Sequence, residues 1–301
     1  MGISHYIKEI GRGKDGARPL SRAQSADLLG QVLDGQVTDL EIGGFCLAMR
    51  IKGETPEEMA GFLDAVQQRL NRLPASDGPV VVLPSYNGAR KLPVLTPLLA
   101  LLLAREGMSV LVHGTPTEPN RVFSSEVLAA LDVPGLLAIK KIAPREVVFA
   151  PTELLSPALK RLLDVRRAVG LRNPAHSLVK LMNPVAGKAL VVSSYTHPEY
   201  ALSMAATFAL VGADALLLRG TEGESVADAR RAPQMQGFIK GQQVLTHDGV
   251  KGTLPSVPDL PKEIDADSTA AYIQSVLQGD SPLPPSIAQQ VAHILQLSEQ
   301  L

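Results

Sequence analysis

Tryptophan is absent from the 301 residues, and five Tyr and six Phe are the only large aromatics. An extended base-stacking surface therefore has few residues to be built from. One cysteine, Cys46, excludes an internal disulfide and any multi-cysteine metal site. It sits in an apolar helical stretch and reads as a buried structural thiol. No eighteen-residue apolar run occurs, Leu98 to Ala104 being too short to span a bilayer, and no charged-then-apolar leader opens the chain. The expectation is a cytoplasmic protein with no membrane partner. Charge of one sign is lacking too: the net charge is −1, so the overall balance announces neither a nucleic-acid nor a membrane protein.

A further absence is local. The apolar run Val80-Val81-Val82-Leu83 reads as a buried strand and leads into Pro84-Ser85-Tyr86-Asn87-Gly88-Ala89-Arg90-Lys91, followed by an apolar helix from Leu92 to Arg105. A strand–turn–helix of this kind usually cradles phosphate with clustered glycines, whose backbone N–H groups approach an anion closely. This turn has one glycine, a tyrosine and two cations. Any phosphate held here is held by Arg90 and Lys91, which suits an extended polyanion better than a small diphosphate.

What is present fills a substantial core, for 45% of residues are hydrophobic. The first seventy or so residues carry three capping boxes, Ser21–Gln24, Thr38–Glu41 and Thr55–Glu58, each opening a run with helical apolar spacing. The last has Pro56 at the first helical position, where its missing N–H is harmless. After Gly78 the texture changes to short β-rich runs between helices: Val80–Leu83, Met108–Val112, Glu146–Phe149, Ala189–Val192 and Ala215–Leu218. Continuous apolar strands indicate a sheet covered on both faces. The predicted fold is therefore α/β: a helical domain over 1–73, then an α/β domain over 78–301 with a central, mostly parallel sheet. Pro and Gly cluster from Thr253 to Lys262, an expected exposed loop, before two amphipathic helices, Ser268–Gln278 and Ser286–Gln300.

Charge is segregated. Between Lys140 and Lys240 there are fourteen Lys or Arg against eight Asp or Glu. Such clustering builds a basic surface on a near-neutral protein, or else a set of solvated helix faces. Arg219-Gly220 ends one predicted strand and Arg121 follows a proline-bracketed loop after another; strand ends of an open α/β sheet are where ligands bind.

These stretches carry a resemblance. Met49-Arg50-Ile51-Lys52-Gly53-Glu54-Thr55, His113-Gly114 with Asn120-Arg121-Val122 and Ser124-Ser125, Glu126 to Leu131, Met182-Asn183-Pro184 and Tyr272–Gly279 resemble the anthranilate phosphoribosyltransferase family, which shares its fold with pyrimidine nucleoside phosphorylases. The resemblance implies a small helical domain, joined by a returning segment near 165–187, a larger α/β domain, a cleft between them and a homodimer formed through the helical part.

The departures from that family bear on function. Its glycine-rich loop for phosphoribosyl pyrophosphate corresponds here to Pro84 to Arg90, its Asn-x-Ser-Thr to Pro93-Val94-Leu95-Thr96, and the lysine before its His-Gly to Val112. Its Mg²⁺-holding Asp-Glu pair falls near Glu222-Gly223-Glu224. The pattern is similar to a non-biosynthetic branch, the YbiB-like proteins, whose members bind nucleic acid through a basic groove. The resemblance thus implies a groove made by Arg90, Lys91, Arg121, Arg166, Arg172, Lys180, Arg219, Arg230 and Arg231, with Tyr86 as the stacking ring, binding single- or double-stranded nucleic acid largely without sequence preference and without a cofactor. The alternative is an enzyme, a phosphoribosyltransferase or nucleoside phosphorylase with an altered substrate, using Mg²⁺ at Glu222 and Glu224 and His113 to polarise the substrate. His113, His176 and His197 also read as ordinary structural hydrogen-bonders. A protein-interaction role for the dimer has no distinguishing mark.

Overall fold

Three Ser or Thr side chains fix the starts of three helices in the first part of the chain. In the computed structural model, which describes residues 2–13, 15–253 and 258–301, Ser21, Thr38 and Thr55 each accept from the backbone N–H three residues on. Gln24, Glu41 and Glu58 each return the bond, completing all three boxes. The helices and strands run α1 (Ser4–Ile10), α2 (Arg22–Leu33), α3 (Asp39–Lys52), α4 (Pro56–Gln67), β1 (Val80–Ser85), α5 (Thr96–Arg105), β2 (Ser109–Gly114), α6 (Ser124–Ala130) and β3 (Val147–Pro151). They continue with α7 (Thr152–Leu155), α8 (Pro157–Val169), α9 (Ala175–Leu178), β4 (Ala189–Tyr195), α10 (Pro198–Val211), β5 (Ala215–Arg219), β6 (Met235–Ile239), β7 (Gln242–His247), α11 (Ala266–Gln278) and α12 (Pro285–Ser298).

The chain divides into two units, Met1–Asn71 with Thr152–Pro184, and Arg72–Pro151 with Val185–Leu301. The returning segment of the helical unit is therefore longer than 165–187 at its start and three residues shorter at its end. Inside this unit Phe45 of α3 meets Phe62 of α4 edge-on at 5.9 Å. Glu58 is wholly buried. Its carboxylate accepts from Leu20 N–H at 2.9 Å and Thr55 N–H at 2.9 Å and pairs with Lys52 Nζ at 2.6 Å, so the cap also satisfies an ion pair that burial would otherwise penalise.

In the second unit the strand order is β3-β2-β1-β4-β5-β6-β7. The first five are parallel and β6 and β7 antiparallel. Successive side chains on a strand point to opposite faces. Val81, Leu83, Val110, Val112, Leu190, Val192, Leu216 and Leu218 share a core with α5, α11 and α12. Their alternates Val82, Leu111, Val191 and Leu217 are buried as well, as a sheet covered on both faces requires. Phe208 of α10 packs on Phe238 of β6 with ring centroids 5.4 Å apart. Of the expected Pro/Gly-rich loop, 254–257 lie outside the described residues. Among the described residues no helix is long and apolar enough to cross a membrane.

Candidate functional site

The strand order reverses at β1, which lies between β2 and β4. At such a switch point the connections leaving neighbouring strands diverge and open a crevice beyond their carboxyl ends. Two connections meet there, the loop 86–95 after β1 and the strap 220–225 after β5. The loop presents a row of backbone N–H groups, and the strap supplies the acceptors. Glu222 Oε1 accepts from the N–H of Arg90 at 3.2 Å, Lys91 at 2.8 Å and Leu92 at 3.0 Å. Glu224 Oε1 accepts from the N–H of Asn87 and Gly88, both at 2.8 Å. Its Oε2 takes the hydroxyls of Ser85 at 2.5 Å and Thr96 at 3.3 Å. Two of the chain's own carboxylates thus occupy an anion cradle.

Local sequence holds the strap in place. Gly223 has φ +87°, and a Cβ there would lie 1.9 Å from Asn87 Nδ2, so only glycine fits. Asn87 Nδ2 donates to Glu222 O at 2.9 Å, Ser194 Oγ to Gly223 O at 2.7 Å, and Ser225 Oγ to Pro84 O at 2.7 Å. Glu222 itself has φ +50°, a left-handed conformation that is unfavourable for a side chain with a Cβ and persists because its surroundings impose it. Arg121 closes the arrangement, donating to Gly88 O at 3.3 Å and pairing with Glu118 Oε2 at 3.0 Å and Glu222 Oε2 at 3.7 Å.

Beside the strap lies an open cavity of about 1030 Å³. Lys91, Arg219, Arg230, Arg231 and Lys251 line it together with the acids Glu222, Asp228 and Asp248, and Tyr195, Pro198, Ala201 and Leu202 give it an apolar wall. Arg230 is committed to Asp228 through Nε at 3.0 Å and Nη2 at 2.8 Å. Burial alone would raise the Asp228 carboxyl, but these bonds and the N–H of Arg230 hold it below its ordinary value. Among the described residues Lys91, Arg219 and Arg231 form no close ion pair with a carboxylate, although Arg231 is close enough to Asp228 to help depress its carboxyl. No group of three or more His, Cys, Asp or Glu placed to hold a metal occurs among those residues.

Three comparisons bear on this arrangement. Residues 4–70 match the family model described as "Glycosyl transferase family, helical bundle domain". The protein YbiB of Escherichia coli (strain K12) is 42% identical over 300 residues, covering 97% of this chain and 93% of its own. An anthranilate phosphoribosyltransferase of Anaeromyxobacter dehalogenans (strain 2CP-C) is 31% identical over 231 residues, 75% of this chain and 67% of that one. The chain belongs to the anthranilate phosphoribosyltransferase-like family. Its fold agrees: the anthranilate phosphoribosyltransferase from Thermus thermophilus superposes with a TM-score of 0.71 at 22% identity, over 95% of this chain and 85% of that one.

Within this member of the family, several expected site residues need correction. Tyr86 is not an open stacking ring. It is 3% exposed, with its hydroxyl 2.8 Å from His113 Nδ1 and its ring edge-on to the imidazole at 5.4 Å. Arg121 is locked into ion pairs rather than offered to a ligand, and Arg230 is bound to Asp228. Lys180 is 8% exposed, so its ammonium is not a surface contact. Arg166 lies on α8, and Arg166, Arg172 and Lys180 all belong to the helical unit. Lys91, Arg219, Arg230 and Arg231 are brought to one cavity, and Arg90 is exposed next to Lys91.

Full burial pushes the His113 imidazole down to about 3, so it is neutral. His176 Nδ1 lies 3.3 Å from Asn173 O in a turn. Two cavity residues, Tyr195 and Lys251, escaped the sequence reading. Tyr195 had a signal, its place at the carboxyl end of a strand beside the switch point; Lys251 had none.

Proposed function

We propose that this protein binds nucleic acid along the cavity lined by Lys91, Arg219 and Arg231, and that it does not transfer phosphoribosyl groups. One observation carries the reading: the cradle of the loop after β1, where the family resemblance puts a diphosphate, is filled by Glu222 and Glu224, while Lys91, Arg219 and Arg231 beside it form no close ion pair among the described residues. A small diphosphate entering there meets two resident negative charges and no free N–H groups, which is unfavourable on both counts. A polyanion needs no such cradle. It gains from several spaced cations at once, and each neutralised phosphate releases condensed counterions. Arg219 and Arg231 also have guanidinium planes suited to bidentate phosphate contact and to stacking on a base. That matters in a chain with few exposed aromatic rings.

The reading includes a cytoplasmic homodimer joined through the helical unit. It rests on Leu40, Leu47 and Ile51 of α3, all well exposed, and on a groove of about 220 Å³ that Leu47 and Ile51 share with Ile7 and Ile10. Two sites on one dimer let a long strand engage both, which raises apparent affinity without new contacts. Fluorescence anisotropy with labelled oligonucleotides of increasing length tests this. Affinity is expected to rise steeply once the strand bridges two sites, and the same preparation given phosphoribosyl pyrophosphate, Mg²⁺ and anthranilate should form no product above background. Turnover on the order of 1 s⁻¹, or absence of oligonucleotide binding at low salt, would overturn the proposal.

A further inference from the structure

Glu222 Oε1 takes three consecutive backbone N–H groups, those of residues 90, 91 and 92. A side-chain cap takes one such donor from a helix end; three successive N–H groups converging on one oxygen are the geometry of an anion nest. The two carboxylates in this cradle differ. Glu224 is 1% exposed, and both of its oxygens are taken, one by loop N–H groups and the other by the hydroxyls of Ser85 and Thr96. Glu222 keeps 19% of its side chain exposed and lines the cavity. Its second oxygen has Arg121 at 3.7 Å, and its backbone sits at φ +50°, a conformation favoured by glycine. Glu224 is a fixed anchor between strap and loop, and Glu222 is the exchangeable anion.

We propose that Glu222 is an internal competitor that denies the 90–92 nest to free phosphate compounds, and that the nest is a complete oxyanion site for phosphate or diphosphate once this carboxylate is removed. The consequence for selectivity rests on the nucleic-acid reading above: cations along the cavity attract every phosphate, and Glu222 withholds the N–H groups that would let a monomeric one bind tightly. Polymers, which draw on many weak contacts, are affected least.

The test is calorimetric titration of the full chain with inorganic pyrophosphate, without nucleic acid. Glu222→Gly suits the backbone at this position and empties the nest. It should bind pyrophosphate at least about tenfold more tightly than the unsubstituted protein, the factor that one or two charge-assisted N–H bonds give. Glu222→Gln leaves a neutral oxygen in place and should gain less. A thermal melt checks that each variant is folded. A folded Glu222→Gly that binds pyrophosphate no more tightly than the parent overturns the proposal; if that variant does not fold, absence of any gain in Glu222→Gln does so. In a second arm, pyrophosphate should displace a bound oligonucleotide from Glu222→Gly at about tenfold lower concentration than from the parent. Failure of the parent to bind oligonucleotide would sink the nucleic-acid reading while leaving the titration to decide the role of Glu222.

Discussion

His113 shows how a single residue is defined by where its strand ends. It lies in β2 with its Nδ1 against the Tyr86 hydroxyl and its Nε2 without a partner among the described residues. Gly114 follows because a Cβ there would lie 1.9 Å from Ser85 O. Burial lowers the imidazole from 6.5 to about 3, so folding favours the neutral ring. A group whose folded-state pKa is depressed contributes stability that is complete above its unfolded value and is lost as pH falls. Between pH 6.5 and about 3 the loss approaches about 1.4 kcal/mol per pH unit. Denaturant melts of the parent and of His113→Phe over this window should give a parent that loses stability more steeply than the variant; parallel curves would show that His113 is not buried neutral. At this scale the sequence exposed the structural character of His113 and of Cys46, whose thiol burial pushes up to about 12. It offered Tyr86, which is 3% exposed, as an open ring, and it gave Glu222 and Glu224 a role only in the enzyme alternative, because residue type alone does not say whether a carboxylate faces a metal or a row of N–H groups.

The elements with continuous apolar runs were legible and those without were not. Each of the five parallel strands was visible from its Val- or Leu-rich core, but all five run on at their carboxyl ends, through residues such as Ser85, His113, Pro151, Tyr195 and Arg219, which is where the site lies. The hairpin of β6 and β7 escaped notice because β7 is a mostly exposed edge strand, and because its turn is Lys240-Gly241, both at positive φ (48° and 77°), with lysine where asparagine or aspartate usually signals such a turn. Helix α5 begins at Thr96, not Leu92, since Pro93 and the N–H bonds to Glu222 keep the preceding residues out of the helix. Helix α3 is the element on which the dimer proposal turns. Its exposed Leu47 and Ile51 form with α1 an apolar patch of the kind that marks association sites. Leu47→Glu with Ile51→Glu should leave the helical unit folded and convert the protein to a monomer in sedimentation equilibrium. An unchanged mass would place any dimer contact elsewhere.

For the molecule as a whole, a net charge of −1 conceals an uneven distribution, and the fold sharpens it. Cations that the sequence scatters over 140 residues, Lys91 and Arg219 to Arg231, meet at the carboxyl end of one sheet. Others are withdrawn into ion pairs: Lys140 with Glu146, Lys141 with Asp77, Lys160 with Asp164 and Arg161 with Asp39. The sequence showed a local excess of cations but not which members stay out of ion pairs, because pairs such as Lys141–Asp77 join residues far apart in the chain.

The central claim is that Lys91, Arg219 and Arg231 contact phosphates, and the salt dependence of binding to a long single-stranded oligonucleotide tests it most directly. Lys91→Ala, Arg219→Ala and Arg231→Ala should each reduce the magnitude of the log K against log salt slope by about 0.7, and Arg230→Ala by less because of Asp228. Lys188→Ala, just before the amino end of β4 and so at the opposite edge of the sheet, should leave the slope unchanged. Equal slopes for the parent and the three cavity variants, or an equal loss in Lys188→Ala, would contradict the account.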